Sequence, residues 1–556
     1  MSGEGREETV TADPRIPTAE LCVTPRLIER RARESGDDIF AAFASGEANW
    51  TYADLAREAR ETAAALHALG VQPGDRVLCW LPNGPDLLRI WVGANRLGAI
   101  FAPLNLAYRG RMLEHAIRVS DASLIVAEAG LAERLAEIDA PSLRTAAILG
   151  GPAPTLGSLK VVDEGAFRAS ATGDALPTSR PVEPWDIQAI IYTSGTTGPS
   201  KAVLAPYLQL FLTGTVSVRP FTRNDRSLVH SPLFHVTGMS AVIRAIATGG
   251  SIAVLERFST TNFWGDVRRL GATYAVVMGS IATFLLKQPK TEDERETPLK
   301  TLLLAPLTAD GRRLAERIGA NYLTVFNMSE TSRPLMTGLN PGKDGACGRP
   351  RPGIEARIVD ENDCELAEGQ TGELILRADA PWAMTPGYFG DAEATARAWR
   401  NGWFHTGDAF YIDADGDFRF VDRIKDAIRR RGENISSFEV EIEVAAHPAV
   451  KDCAAVAVRA EGAEDEVLVV IEPVDGERLD PLALLTFLAP RMPHYMVPRY
   501  VRQVPALPRT PTLRVQKHLL RAEGVTADTW DREAAGVRIG RDGFSAPPHS
   551  SEAIHQ

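Results

Sequence analysis

The sequence predicts an α/β protein: a large N-terminal domain of helix-covered, mostly parallel sheets, followed by a small α+β C-terminal domain. Three observations carry this reading. From about Pro25 to Ile424, short apolar runs alternate with amphipathic helical stretches, as in parallel strands joined by helical crossovers. After Arg423 a basic stretch opens a different pattern of helix, two strands and helix. The chain has 556 residues, 44% hydrophobic and 24% charged, enough for several domain equivalents of roughly 150 residues each.

In chain order, residues 1–17 are polar and lack apolar periodicity, so they read as a flexible tail before a large domain over 18–423. Within that domain RVLCWLP (Arg76 to Pro82) is strand-like, Leu87 to Ile100 is helical, and LIVAE (Leu124 to Glu128) is again a strand. IQAIIYT (Ile187 to Thr193) and SIAVLE (Ser251 to Glu256) are continuous apolar runs, as expected of strands buried on both faces. The small domain, 424–530, begins with KDAIRRRGENIS and continues through helix-like FEVEIEVAAH, strand-like DCAAVAV and EVLVVIEPV, and a helix near Leu482 to Leu488. Residues 531–556 read as a second flexible tail.

Composition excludes several classes. The balance of 61 basic and 72 acidic residues leaves a net charge of −11, which gives no global attraction to nucleic acid or anionic membrane. Five scattered cysteines without C-x-x-C spacing suggest neither a disulfide framework nor a zinc site. The N-terminus has no apolar leader and no window suits a membrane span, so a cytoplasmic protein is expected.

The sharpest local signal is Tyr192-Thr193-Ser194-Gly195-Thr196-Thr197-Gly198-Pro199-Ser200-Lys201, directly after an apolar strand. Glycines admit backbone N–H groups close to an anion, hydroxyls donate to phosphate oxygens, and the lysine adds positive charge. The spacing is not that of a Walker A loop, because Lys201 lies three residues beyond Gly198 and is followed by Ala202. A Ser/Thr/Gly linker is the bland alternative, although linkers seldom follow a buried strand.

With this loop, SPLFHVTG (Ser231 to Gly238), FNMSETS (Phe326 to Ser332), GWFHTGD (Gly402 to Asp408), DRIKD (Asp422 to Asp426), RGENISSFEVE (Arg431 to Glu441) and LPRTPTLRVQK (Leu507 to Lys517) follow in order. From about Trp50 to about Arg521 the chain resembles the adenylate-forming superfamily, which includes acyl-CoA synthetases, peptide-synthetase adenylation domains and luciferases. Phe326-Asn327, where most of that family has Tyr-Gly, is similar to the crotonobetaine/carnitine-CoA ligase subgroup.

The resemblance implies an ATP- and Mg²⁺-dependent acyl-CoA ligase that forms acyl-AMP and pyrophosphate and then transfers the acyl group to CoA. It implies that Thr193, Ser194, Gly195, Thr196, Thr197, Gly198 and Lys201 cradle phosphates, that Phe326 and Asn327 line the adenine pocket, that Ser329 contacts phosphate and that Glu330 holds the metal. Met328, Ala305 and Pro306 count with the nucleotide contacts, and Asp408 with Arg423 forms the ribose pair. His235 stands where carboxylate and nucleotide meet. Lys425 stands at a hinge about which the small, mobile domain rotates, and Gly432 along a pantetheine tunnel. Arg431, with Arg429 and Arg430, meets CoA phosphates or forms a solvated face. The acyl pocket draws on Tyr207, His235 to Met239, Met278 to Ile281, Ala305 to Leu307 and residues after Glu330.

One departure concerns catalysis. Where the family reads T-G-K, this chain reads Thr512-Leu513-Arg514, so Arg514 takes the place of a catalytic lysine, with Lys517 as a substitute if the loop shifts register. FNMSETS suggests a small or polar acid such as crotonobetaine or carnitine, with medium-chain, dicarboxylic and aryl acids open. Transfer to a carrier protein, a luciferase-like oxygenase and a nucleotide-binding regulator without turnover are the rival functions. Oligomeric state is open, a homodimer included.

Overall fold

A computed structural model of the chain describes residues 13–171, 180–193, 200–216, 221–424, 428–430, 433–459, 465–510, 515–540 and 543–545. Two seven-stranded sheets form the body of the large domain. In spatial order the first contains Lys160–Asp163, Thr145–Leu149, Leu124–Glu128, Arg76–Trp80, Ile100–Pro103, Ile187–Thr193 and Lys201–Pro206. All neighbours run parallel except the last pair. The second contains Asn321–Leu323, Thr301–Ala305, Tyr274–Met278, Arg226–Val229, Ser251–Val254, Ile39–Phe43 and Trp50–Thr51, again parallel but for the final edge pair.

Helical crossovers cover both sheets, which is why their strands are apolar on both faces. In Ile187–Thr193 the five central residues are buried, and each of Ile190 and Ile191 adds about 1.5–3 kcal/mol by leaving water. The helix expected after RVLCWLP spans Pro85–Leu97, begun by a proline in its first turn and ended by Gly98 at φ +80°.

A third seven-stranded sheet, from Val325–Phe326 to Phe418–Arg423, is antiparallel throughout and was not separately legible. Its strands are joined without helical crossovers for the most part, and hairpin connections reverse the chain.

The small domain has a sheet of Val450–Arg459, Asp465–Pro473, Tyr500–Gln503 and Trp530–Asp531, packed with helices Ser437–Ala445, Pro481–Leu488 and Lys517–Glu523. Its junction with the large domain is bonded across the expected hinge. Ser436 Oγ donates to Val421 O at 2.5 Å, and the Ser437 N–H and hydroxyl donate to the Asp422 carboxylate at 2.7 and 2.5 Å.

The C-terminal tail differs from expectation. Trp530–Asp531 adds an edge strand against Tyr500–Gln503, Arg532 and Val537 are buried, and a hairpin joins Arg538–Gly540 to Gly543–Ser545. Backbone pairing and the Arg499–Asp531 ion pair at 3.1 Å order a segment whose composition is polar. At the other end, Arg15 donates to the carbonyl of Asp379 and so contacts the large domain. Among the described residues no helix is long and apolar enough to cross a membrane, and all five cysteines are free.

Candidate functional site

In an open parallel sheet, ligand groups gather beyond the carboxyl ends of the strands. Adjacent strands of the second sheet end at Val229, Met278, Ala305 and Leu323, and Met278 pairs with Ala305. The segments that leave this edge carry His235, Met278 to Ile281, Ala305 with Pro306, and Phe326 to Glu330. The phosphate loop leaves the carboxyl end of Ile187–Thr193 in the first sheet.

Thr193 and Lys201 are paired across the base of that loop, and the Thr193 hydroxyl donates to Lys201 O at 3.5 Å. Ser200 is anchored by His115 Nε2 at its carbonyl, 2.9 Å away, and by Tyr108 at its hydroxyl, 3.3 Å away. Ser194, Gly195, Thr196, Thr197 and Gly198 lie outside the described residues.

Lys201 reaches the centre of a buried cluster. Its ammonium sits 4.5 Å from the centroid of the Tyr388 ring, and the Tyr388 hydroxyl donates to Glu330 Oε1 at 3.1 Å. Glu330 is only 6% exposed. Burial raises its pKa above the usual carboxylate range, opposed by its own backbone N–H, the Tyr388 hydroxyl and the charges of Arg423 and Lys201. The segment holding Tyr388 is clamped in place: Thr385 N–H donates to Glu330 O at 2.8 Å, Leu204 N–H to Gly387 O at 3.0 Å and Phe389 N–H to Ala202 O at 2.8 Å. Sequence reasoning missed Tyr388. Its signal was the turn-like Pro386-Gly387-Tyr388, which by itself marks only a loop.

Asp408 and Arg423 are register partners on neighbouring antiparallel strands, with Arg423 Nε 3.1 Å from Asp408 Oδ1. Gly407 takes φ +69°, which favours glycine, and lets the strand turn Asp408 inward. The Phe326 ring lies edge-on to Phe410 at 5.0 Å and continues through Phe420 to Phe438 of the small domain. Met328 and Ser329 are half-buried beside it, and Gln209 fixes the turn by donating to Ser329 O at 2.7 Å and Thr331 O at 3.3 Å. The Asn327 side chain turns inward instead of offering its oxygen to a ligand: Oδ1 accepts from Arg333 N–H at 2.6 Å and from the Thr331 hydroxyl at 3.2 Å.

His235 caps the helix Val236–Thr248, its ring tilted against Phe234 at 5.2 Å. Gly238 is required there, since a Cβ would lie 2.5 Å from Pro232 O. Tyr207, expected in the acyl pocket, is instead buried against Cys22 and Val23 near the N-terminal helices.

Lys517 is placed within the small domain, bonded to Ser437 Oγ and 2.8 Å from Glu441 Oε1. Arg430, considered for CoA phosphates, is buried and pairs with Glu466 at 2.7 Å while donating to Tyr495 O. Being interior, it is not a solvated cation. Arg514, Lys425, Arg431 and Gly432 lie outside the described residues, although Arg509 and Val515 bridge the base of the segment that contains Arg514.

A family profile described as AMP-binding enzyme matches residues 28–389, and one described as AMP-binding enzyme C-terminal domain matches 439–513. The chain belongs to the AMP-binding enzyme family. Among AMP-binding enzymes, a crotonobetaine/carnitine–CoA ligase of Salmonella paratyphi A is 30% identical over 504 residues, 87% of this chain and 96% of that protein. A sulfoacetate–CoA ligase of Cupriavidus necator is 32% identical over 483 residues, 84% of this chain and 91% of that one. ATP-bound MatB from Rhodopseudomonas palustris superposes with a TM-score of 0.76 at 26% identity, covering 90% of this chain and 98% of MatB. The anthranilate CoA ligase AuaEII, in complex with anthranoyl-AMP, shares the fold with a TM-score of 0.80 at 20% identity, covering 93% and 98%. This AMP-binding enzyme is an acyl-CoA synthetase, an AMP-forming acid–thiol ligase that activates a carboxylic acid as its adenylate and transfers it to CoA.

Proposed function

We propose that the ligase works through the cluster joining Lys201, Tyr388, Glu330, Asp408 and Arg423. The observation that carries this reading is the chain of contacts from Lys201 through Tyr388 to the buried Glu330, with the charge of Arg423 acting on the same carboxylate. Asp408 accepts the ribose hydroxyls beside Arg423, while Lys201 and the adjoining loop hold the β- and γ-phosphates.

Mg²⁺ commonly binds one or two carboxylates together with substrate phosphates. Glu330, a buried hard-oxygen donor, fits such a site, and no cluster of three or more His, Cys, Asp or Glu among the described residues forms an all-protein cage. Bound there, Mg²⁺ supplies charge neutralisation at the phosphate oxygens. Tyr388 orients the Glu330 carboxylate for that role.

In the first step the acid's carboxylate oxygen bonds to the α-phosphorus and the bond to the bridging oxygen breaks, releasing pyrophosphate. The nucleophile is already an anion, so His235 positions and no general base is needed. Alignment and positive charge do the work. In the second step the CoA sulfur bonds to the acyl carbon and AMP leaves. Rotation of the small domain about the segment after Arg423 separates the two steps, and Arg514 approaches the reacting groups in the first. We place the enzyme in the cytosol, where its free cysteines and its soluble substrates belong.

The test measures AMP and pyrophosphate release from ATP and Mg²⁺ over a panel of carboxylic acids, with and without CoA. Turnover that needs both an acid and CoA is expected, with Glu330→Gln losing most of it. Acid-dependent pyrophosphate release indifferent to CoA overturns the CoA step, and an active Glu330→Gln enzyme overturns the metal assignment.

A further inference from the structure

Arg244 and Arg333 of the large domain are deeply buried. Arg244 is 2% exposed and Arg333 is 3% exposed. Among the described residues neither has a carboxylate within ion-pair distance, and the buried Asp225 is bonded to Thr222 and Thr273. Arg244 donates to Gly214 O at 3.1 Å and Ser227 Oγ at 3.2 Å, and among the described residues its buried Nη2 has no hydrogen-bond partner. Arg333 donates to Val216 O at 3.0 Å. Tyr274 adjoins the first: the Arg244 guanidinium stands 4.4 Å from its ring centroid, and among the described residues its buried hydroxyl has no partner. Burial first and the Arg244 charge second lower the Arg333 pKa to about 10. Buried charges are ordinarily paired, so two guanidiniums with spare donors are suited to seat an anionic group.

The seat is connected to the reaction centre. Arg333 follows Glu330 by three residues, and Arg244 lies on the helix that His235 caps. Val276, Leu303, Ala305 and Val325 form one apolar cluster with Tyr274, and Met278 and Ala305 end their strands at the reactive edge. From His235 to Arg244 is about 13 Å of helix axis at 1.5 Å per residue. From Tyr274 to Met278 is about 13 Å of strand. Side-chain reach shortens this span to the length of an extended spacer of several carbons.

We propose that the acid this ligase activates carries a second anionic group, carboxylate or sulfonate, at the far end of an apolar spacer. The reacting carboxylate stays near Glu330, the spacer lies along Val276, Leu303, Ala305 and Val325, and the distal anion bonds to Arg244, Arg333 and Tyr274. A quaternary ammonium of the crotonobetaine or carnitine kind meets two positive charges there and is disfavoured. This rests on the ligase reading above and specifies its substrate class.

The experiment compares kcat/KM for α,ω-dicarboxylates of increasing length, ω-sulfonated acids, monoacids of matched length and crotonobetaine. Calorimetric binding of the same acids is measured in the presence of ATP. A dianion of intermediate length is expected to exceed its matched monoacid, with sulfonate and carboxylate series showing which oxyanion fits. In Arg333→Gln and Arg244→Gln that ratio should fall about 30-fold or more. Tyr274→Phe, which removes only the hydroxyl, keeps the test open if an arginine variant does not fold. Monoacids or crotonobetaine matching the dianions at every length, or a ratio unmoved by these substitutions, overturns the proposal. If no acid releases pyrophosphate the adenylation reading fails, while dianion binding in calorimetry still decides the seat.

Discussion

Replacing Tyr388 with phenylalanine tests how Glu330 is held. The ring stays, so the contact with Lys201 at 4.5 Å is kept, and only the hydroxyl that donates to Glu330 Oε1 at 3.1 Å is lost. A hydrogen bond to a charged group contributes about 1.5–3 kcal/mol, which corresponds to roughly 10- to 150-fold in kcat/KM for Mg-ATP if the ionised carboxylate is the working form. The pH dependence follows in sign. Burial already raises the Glu330 pKa, and the tyrosine hydroxyl opposes this by favouring the ionised form. Activity is therefore present above the folded-state pKa and lost as pH falls through it, and losing the hydroxyl moves that acid limb to higher pH. Pyrophosphate release across pH, with saturating acid and varied Mg-ATP, reads both effects. A Tyr388→Phe enzyme within twofold of the parent and with the same acid limb refutes the reasoning.

Asp408→Asn should raise KM for ATP by tenfold or more while melting temperature falls only modestly, because the amide retains shape but loses the charge facing Arg423 at 3.1 Å; unchanged ATP affinity in calorimetry would count against the ribose role. Lys517→Ala leaves Glu441 without its partner at 2.8 Å, so a loss of about 3–5 kcal/mol and a lower melting temperature are expected. Arg514→Ala should slow adenylation without that thermal loss. The reverse pattern would make Lys517 the catalytic cation. Glu441 itself has its pKa raised to about 7 by burial, against the opposing Lys517 charge. Its folded-state pKa exceeds the unfolded one, so its contribution is full below the unfolded pKa and is lost as pH rises through about 7. Melting temperature should thus decline between about pH 5 and pH 8 more steeply than in Glu441→Gln, as followed by differential scanning calorimetry.

The parallel sheets were legible because a strand buried on both faces must be apolar throughout, and Leu124–Glu128 and Ile187–Thr193 stand at the residues the pattern names. The antiparallel sheet was hidden because alternation in strands such as Gly372–Ala378 fixes a face but not a partner. Charged residues misled where their fate depends on what folds over them. Arg430 looks like a surface cation in RRRG, yet Glu466 and the carbonyl of Tyr495 lie more than thirty residues away and enclose it. Lys517 was legible as a lysine near Arg514, but its bond to Glu441 depends on a helix folded from a distant segment. Glu330, Asp408 and Arg423 can be named from sequence because their motifs are local, and the structure sets the last two 3.1 Å apart. Tyr388 and the Arg244–Arg333–Tyr274 cluster were missed because each joins segments far apart in the chain.

The motif that suggested crotonobetaine or carnitine bears on the acid by a different route. The motif marks Asn327 as an adenine contact, but its Oδ1 accepts the backbone N–H of Arg333 and the Thr331 hydroxyl. These bonds hold Arg333 at φ +52°, a left-handed conformation that a non-glycine residue takes only when its surroundings enforce it. A glycine at 327 has no side-chain oxygen with which to do so. Asn327→Gly should therefore release Arg333 and lower the preference for a dianionic acid over its matched monoacid by about tenfold, the scale of one or two neutral hydrogen bonds. KM for ATP should change less than this ratio. If ATP affinity falls while the acid preference holds, Asn327 belongs to the adenine pocket and the Arg333 conformation is maintained by other contacts.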